Sequence, residues 1–268
     1  MIDQLNARGV VMLGCGKMGG ALLRGWLAAG VRPEAVTVID PGAPQDIAAL
    51  GVTFGACPDQ AAVCVLAVKP QMMAAALPSV AGLGGGETLF VSVAAGTTLT
   101  SLEVALGAGS PIVRAMPNTP AAIGQGISAL VGNDAVTPKA LDLAETLMAA
   151  VGQTVRLEHE GQMDAVTAVS GSGPAYVFHL IETLAAAGEA EGLPAPMALA
   201  LAKATVAGAG QLALGDTPPD QLRVNVTSPG GTTAAALEVL MDDRTGFAPL
   251  LRRAVAAARA RGAALARA

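Results

Sequence analysis

Residues 9–19 read G-V-V-M-L-G-C-G-K-M-G, and residues 21–29 continue as an apolar segment of helical period. A short apolar strand, a glycine turn and a helix are the expected local order, that of a dinucleotide-binding unit. The G-x-G-x-x-G spacing is common in isolation, so its flanks carry the reading. Residues 36–39 are a second β-branched run, ending at Asp40. That carboxylate falls about twenty residues beyond the last glycine, where such a fold holds a ribose hydroxyl, while the amides at the helix start hold a pyrophosphate.

Further apolar runs follow, and each ends in small or turn-forming residues. Residues 63–68 end in Lys69-Pro70, residues 89–93 in Ala94-Ala95-Gly96, and residues 112–115 in Met116-Pro117-Asn118-Thr119-Pro120. Helical stretches at 71–76 and 101–106 separate them, the alternation of a parallel doubly wound sheet. Ligands of such sheets lie beyond the carboxyl ends of the strands, so these three turns belong to the cofactor rim. By itself Lys69 also suits a solvated charge, and Pro117-Asn118 an ordinary turn. Residues 127–131 and 154–157, separated by a helix at 138–150, complete the sheet, with antiparallel pairing left open. The domain boundary is set near 158–161, giving a dinucleotide-binding domain at 1–159 and a helical domain at 160–268.

Beyond Glu160 the strand signal ends and Ala, Leu and Met dominate. Segments 162–169, 174–191, 194–214, 232–241 and 247–266 read as helices, and several are apolar around most of their circumference. A helical domain with so little polar face needs a covering partner, for which a second copy in a two-fold dimer is expected. Between two of these helices lies V-T-S-P-G-G-T-T, residues 226–233. Pro229 disfavours helix at Ser228, and Gly230 and Gly231 permit a tight turn. Thr232 and Thr233 then open a helix whose free amides and nearby hydroxyls suit a small carboxylate. An ordinary capped turn has the same local signature.

The bulk numbers bound the function. The chain has 268 residues, 52% hydrophobic and 14% charged, which excludes a disordered chain and allows one large or two medium domains. A net charge of −5 with one Trp and one Tyr gives no footprint for nucleic acid. Apolar stretches are broken by Gly, Pro and charges, and residues 1–8 are polar without signal-peptide order, so a cytoplasmic enzyme without a membrane span is expected. Three cysteines (Cys15, Cys57 and Cys64) and two histidines (His159 and His179) show no metal-ligand spacing. Reduced thiols and no metal are the reading.

In order, G-C-G-K-M-G, L-A-V-K-P, V-A-A-G-T-T, M-P-N-T-P, S-G-S-G-P-A-Y (residues 170–176) and N-V-T-S-P-G-G-T-T resemble the Δ1-pyrroline-5-carboxylate reductase family over nearly the whole chain. The last two motifs are specific; the first is shared by many dehydrogenases. The resemblance implies an N-terminal Rossmann-type domain, a C-terminal all-α dimerisation domain, assembly as dimers that can build decamers, and the last reaction of proline biosynthesis. It places Leu13, Gly14, Cys15, Gly16, Lys17, Met18 and Gly19 along the cofactor pyrophosphate. Ala67, Val68, Lys69 and Pro70, with Ala94, Ala95 and Gly96, fall beside the ribose and nicotinamide. Pro117 and Asn118 border the nicotinamide, and Asn225 reaches the cofactor from the helical domain. Ser228, Gly231, Thr232 and Thr233 match the loop around the substrate carboxylate, with Thr233 beside the ring nitrogen. Glu160 and Asp216 stand where the family has acidic residues near the substrate. The resemblance also implies an active site formed between the two domains.

Asp40 stands where many members carry a neutral or basic residue. A carboxylate accepts from a 2′-hydroxyl and repels a 2′-phosphate, so NADH is expected to be accepted alongside the NADPH the family more often prefers. Two other readings stay open: an enzyme of the β-hydroxyacid dehydrogenase or imine reductase type, for which the helical half offers only Lys203, and a non-catalytic dinucleotide-binding sensor.

Overall fold

The structure, a computed structural model, describes residues 1–265. It divides into two compact units: Met1–Gly171 with the stretch from Arg259 onward, and Ser172–Ala258.

The first unit is built on eight strands: β1 Val10–Leu13, β2 Val36–Ile39, β3 Thr53–Phe54, β4 Val63–Leu66, β5 Leu89–Ser92, β6 Ile112–Met116, β7 Gly126–Gly132 and β8 Gly152–Arg156. They form one sheet in the order β3-β2-β1-β4-β5-β6-β7-β8. Pairing is parallel from β3 across to β6. The strand β7 then runs antiparallel to β6, and β8 parallel to β7. The reversal has a local cause. The turn Thr119–Ile123 and the left-handed Gly124 (φ 69°) return the chain at once, whereas a parallel crossover needs a dozen residues or more.

Helices α1 Ile2–Arg8, α2 Lys17–Ala28, α3 Gln45–Ala48, α4 Met73–Ala76, α5 Leu99–Leu106, α6 Pro138–Ala149 and α7 Met163–Val166 belong to this unit. The period of two in β1 sorts its side chains between the two faces of the sheet. Val10 and Met12 join Leu22, Leu23 and Trp26 in one core, and Val11 and Leu13 join Leu66, Phe90 and Leu102 in the other. Every residue of β1, β4, β5 and β6 is buried, as expected for central strands covered on both faces. The buried Trp26 indole donates to the Leu147 carbonyl at 2.9 Å, which fixes α2 against the end of α6.

The second unit is helical: α8 Gly173–Ala190, α9 Ala195–Leu212, α10 Pro219–Asn225, α11 Thr232–Leu240 and α12 Phe247–Leu265. The last helix is expected from the sequence to reach Ala266, which lies outside the described residues. Helices α8 and α9 meet through a turn at Gly192 (φ 94°), with Gly188 against Leu193 and Ala198. The buried apolar residues here are only alanines, Ala185, Ala198 and Ala202, whereas Phe178, Leu184, Met197, Leu199 and Leu201 are exposed. This chain alone therefore leaves the expected apolar surface uncovered. Among the described residues no helix is long and apolar enough to cross a membrane.

Four elements are absent from the sequence reading: α1, the four-residue α3, the two-residue β3, and α10. Met163 packs with Met116 and Val131, so α7 and the π-type turn Thr167–Gly171 stay on the sheet, and the second unit begins at Ser172.

Candidate active site

The carboxyl ends of the parallel strands bring the predicted cofactor residues together. After Leu13 the chain turns at Gly14, whose φ of 84° lies in the left-handed region that glycine adopts without strain. The Gly14 amide donates to the Ile39 carbonyl at 3.0 Å, and the Ala67 amide to the Leu13 carbonyl at 2.8 Å, which joins the ends of β1, β2 and β4. A Cβ on Gly14 would stand 2.7 Å from the Val68 side chain and 2.8 Å from its amide nitrogen, and one on Gly19 would stand 2.6 Å from the Gly14 carbonyl oxygen. Only glycine fits at either place. Gly16 differs: it is exposed, its φ is −71°, and an added Cβ would meet nothing within 4 Å.

Gly16 precedes α2, no side chain caps that helix, and Lys17 and Met18 form its first turn. The helix thus presents free donors and the positive end of its dipole to an open space. That is a cradle a Cβ would partly fill, and it fits the pyrophosphate of a nicotinamide dinucleotide. Asp40, just past β2, accepts from the Cys15 amide at 2.7 Å through Oδ2 and from the Gly42 amide at 2.8 Å through Oδ1. The carboxylate is therefore fixed beside the glycine turn. Burial, with the Asp40 charge second, pushes the Cys15 thiol up to about 11; burial likewise raises Cys57 and, well above its usual value, Cys64. All three are protonated and free of disulfides at neutral pH.

Lys69 and Pro70 follow β4 exposed to solvent, Val68 is half-buried, Ala94 is buried after β5, Ala95 is exposed, and Gly96 turns with φ 75°. Pro117 is buried after β6. Asn118 spends both ends of its amide inside the unit: Oδ1 accepts from the Ile127 amide at 3.0 Å and Nδ2 donates to the Ser170 carbonyl at 3.2 Å. It braces the Pro117 turn against the π-type turn before α8.

Glu160 lies in the first unit, and its Oε1 accepts both from the Leu99 amide, at 2.7 Å, and from Nη1 of Arg114. Arg114, inside β6 and buried, is absent from the sequence reading. Its signal was available: a charge within the apolar run I-V-R-A-M must have a partner.

In the second unit the predicted substrate residues gather at one turn. The Gly231 amide donates to the Ser228 carbonyl at 3.0 Å, and Gly230 has φ 69°. Thr232 is the first and Thr233 the second residue of α11, which also lacks a side-chain cap. Asn225 ends α10 with its Oδ1 accepting from Gln221 Nε2 at 2.8 Å. Asp216 lies exposed in the loop before α10.

A parallel doubly wound sheet with a glycine cradle at its switch point, followed by a helical unit, defines a dinucleotide-linked oxidoreductase. Comparison with known proteins narrows the class. Residues 160–265 match the family described as pyrroline-5-carboxylate reductase dimerisation, and residues 9–96 the one described as NADP oxidoreductase, coenzyme F420-dependent. A pyrroline-5-carboxylate reductase of Pseudomonas aeruginosa is 42% identical over 265 residues, covering 96% of each chain. The enzyme of that name from Synechocystis is 40% identical, over 92% of this chain and 94% of its own. Among solved structures, a pyrroline-5-carboxylate reductase from Coxiella burnetii has a TM-score of 0.89 at 35% identity, over 97% of this chain and 99% of that one. A Plasmodium falciparum pyrroline carboxylate reductase with NADP bound has a TM-score of 0.83 at 28% identity and the same coverage. The chain belongs to the pyrroline-5-carboxylate reductase family.

Proposed function

We propose that this chain reduces Δ1-pyrroline-5-carboxylate to L-proline, the last step of proline biosynthesis, in the cytoplasm and as a homodimer able to assemble into a decamer. The observation that carries the reading is a glycine-containing turn directly before each of two helices whose starts no side chain caps, α2 at the G-C-G turn and α11 at the P-G-G-T-T turn. One suits a pyrophosphate, the other a substrate carboxylate. Residues 1–159 serve the coenzyme and residues 160–268 the substrate and the dimer.

When bound, a reduced nicotinamide supplies the hydride that the imine carbon accepts. The chain's own residues orient and stabilise. Amides of Thr232 and Thr233, with the Ser228 hydroxyl, hold the carboxylate where the Gly231 turn presents them and so select the ring face, and the Thr233 hydroxyl hydrogen-bonds the ring nitrogen as its basicity grows. Threonine is a weak acid, so the proton reaches that nitrogen from water through the hydroxyl. Leu13 to Gly19, Ala67 to Pro70, Ala94 to Gly96, Pro117, Asn118 and Asn225 hold the coenzyme.

The Asp40 carboxylate supports acceptance of NADH, since two amides fix it where a 2′-phosphate would meet its charge. Steady-state oxidation of NADH and NADPH with pyrroline-5-carboxylate tests both levels. NADH is expected to give a kcat/KM at least equal to that of NADPH. A preference of about a hundredfold for NADPH overturns the argument from Asp40, and oxidation of neither coenzyme overturns the function.

A further inference from the structure

We propose that Arg114 is a positioning residue for the coenzyme loop Ala94-Ala95-Gly96, acting through Glu160; this rests on the reading above that the loop borders the coenzyme. Arg114 sits in β6, paired in register with Ser92 of β5 and Val131 of β7, and its side chain is only 6% exposed. A guanidinium so placed is costly unless a carboxylate answers it. Glu160 does so from the segment between β8 and α7, at 30% exposure. The same carboxylate oxygen accepts from the Leu99 amide at 2.7 Å, across 61 positions of sequence.

Leu99 is the first residue of α5, and its N–H is one of the helix-start donors that no helical carbonyl reaches. Thr98 caps the same helix locally by accepting from the Ser101 amide at 3.2 Å. A helix of this length needs no second cap to form, and a carboxylate there favours the dipole only modestly. What the second cap adds is location. The loop leaves β5 held by the Val93 amide on the Leu66 carbonyl at 3.0 Å and the Ala94 amide on Ser92 Oγ at 3.4 Å. It enters α5 at the amide that Glu160 holds. Both ends of the loop are thus anchored, and the downstream anchor depends on a carboxylate that Arg114 keeps in place.

The experiment uses Arg114→Met, Arg114→Lys, Glu160→Gln and the double variant Arg114→Met with Glu160→Gln in the full chain. NADPH and NADH dissociation constants are read by fluorescence without substrate, and kcat and the imine KM with saturating coenzyme. Arg114→Met and Glu160→Gln are each expected to weaken coenzyme binding about tenfold, and Arg114→Met to leave kcat and imine KM within about twofold of wild type. Arg114→Lys, which keeps a charge for Glu160, should recover most of the loss, and the double variant should be no weaker than the worse single one. The Lys variant also keeps the test open if the Met variant fails to fold. Unchanged coenzyme binding, additive losses in the double variant, or a raised imine KM in Arg114→Met would each overturn the proposal. The binding measurement needs no turnover, so a wild type that binds coenzyme without reducing the imine refutes the functional reading and leaves this test intact.

Discussion

Alanine substitutions at Gly14 and Gly16, two positions apart, separate the fold of the glycine turn from its use. At Gly14 a methyl would meet the Val68 side chain at 2.7 Å, the Val68 nitrogen at 2.8 Å and the Ala67 carbonyl carbon at 3.0 Å. It would also have to adopt φ 84°. Strain in that region costs about 1–3 kcal/mol and overpacking about another 1–3 kcal/mol, so Gly14→Ala should destabilise the first unit by about 2–6 kcal/mol. At about 2–4 °C per kcal/mol for a unit of this size, the melting temperature should fall by on the order of 10 °C. At Gly16 the methyl meets nothing within 4 Å and φ is −71°. Exchanging Gly for Ala before a helix costs under about 1 kcal/mol, so Gly16→Ala should fold almost as well as wild type. Its methyl occupies the open space before α2, and coenzyme binding should weaken by at least about tenfold, or about 1.4 kcal/mol. Calorimetry without coenzyme and coenzyme fluorescence titration read the two effects separately. A Gly16→Ala protein that binds coenzyme like wild type would refute the cradle, and a Gly14→Ala protein with an unchanged melting temperature would refute the close approach.

Thr233→Ala is expected to lower kcat by about 10- to 100-fold while coenzyme affinity stays within about twofold, because the hydroxyl acts on the reacting nitrogen; an unaltered kcat removes Thr233 from the chemistry. The Cys15 thiol gives a pH prediction with a definite sign. Its folded pKa of about 11 lies above the ordinary thiol value of 9.0, chiefly through burial, so the folded state holds the proton more tightly. That contribution is complete below pH 9 and is lost as pH rises toward 11. Denaturant unfolding of wild type should therefore lose about 2–3 kcal/mol more over this interval than Cys15→Ala does. Equal losses would show that the thiol ionises alike in both states.

Much of the first unit was legible because burial on both faces writes itself as short β-branched runs, each closed by a turn: β1, β2, β4 and β5 fall within the expected segments, and β6 runs one residue past its own. What escaped had weak or distant signals. Helix α1 offers little apolar surface beyond Ile2 and the buried Leu5, and β3 has only two residues, both exposed. Helix α10 had readable marks, Pro219 at its start, Asp220 in its first turn and Arg223 in its last, but they are overshadowed by the Pro218-Pro219 break. In the site, the residue types in the turns were readable, whereas their partners were not. The Arg114 and Glu160 pair and the Asn118 brace join positions far apart in the chain, and periodicity carries no information about such contacts. The same limit applies around α7: Met163 holds it on the sheet through Met116 and Val131, a tertiary contact without a local mark.

The most direct test of the account follows the hydride itself. Coenzyme carrying deuterium on the transferable position of the nicotinamide is mixed with pyrroline-5-carboxylate and the full-length protein, and the product is analysed by mass spectrometry and NMR. L-proline with a single deuterium at C5 is the predicted result; unlabelled proline, or coenzyme that stays reduced in the presence of the imine, would contradict it.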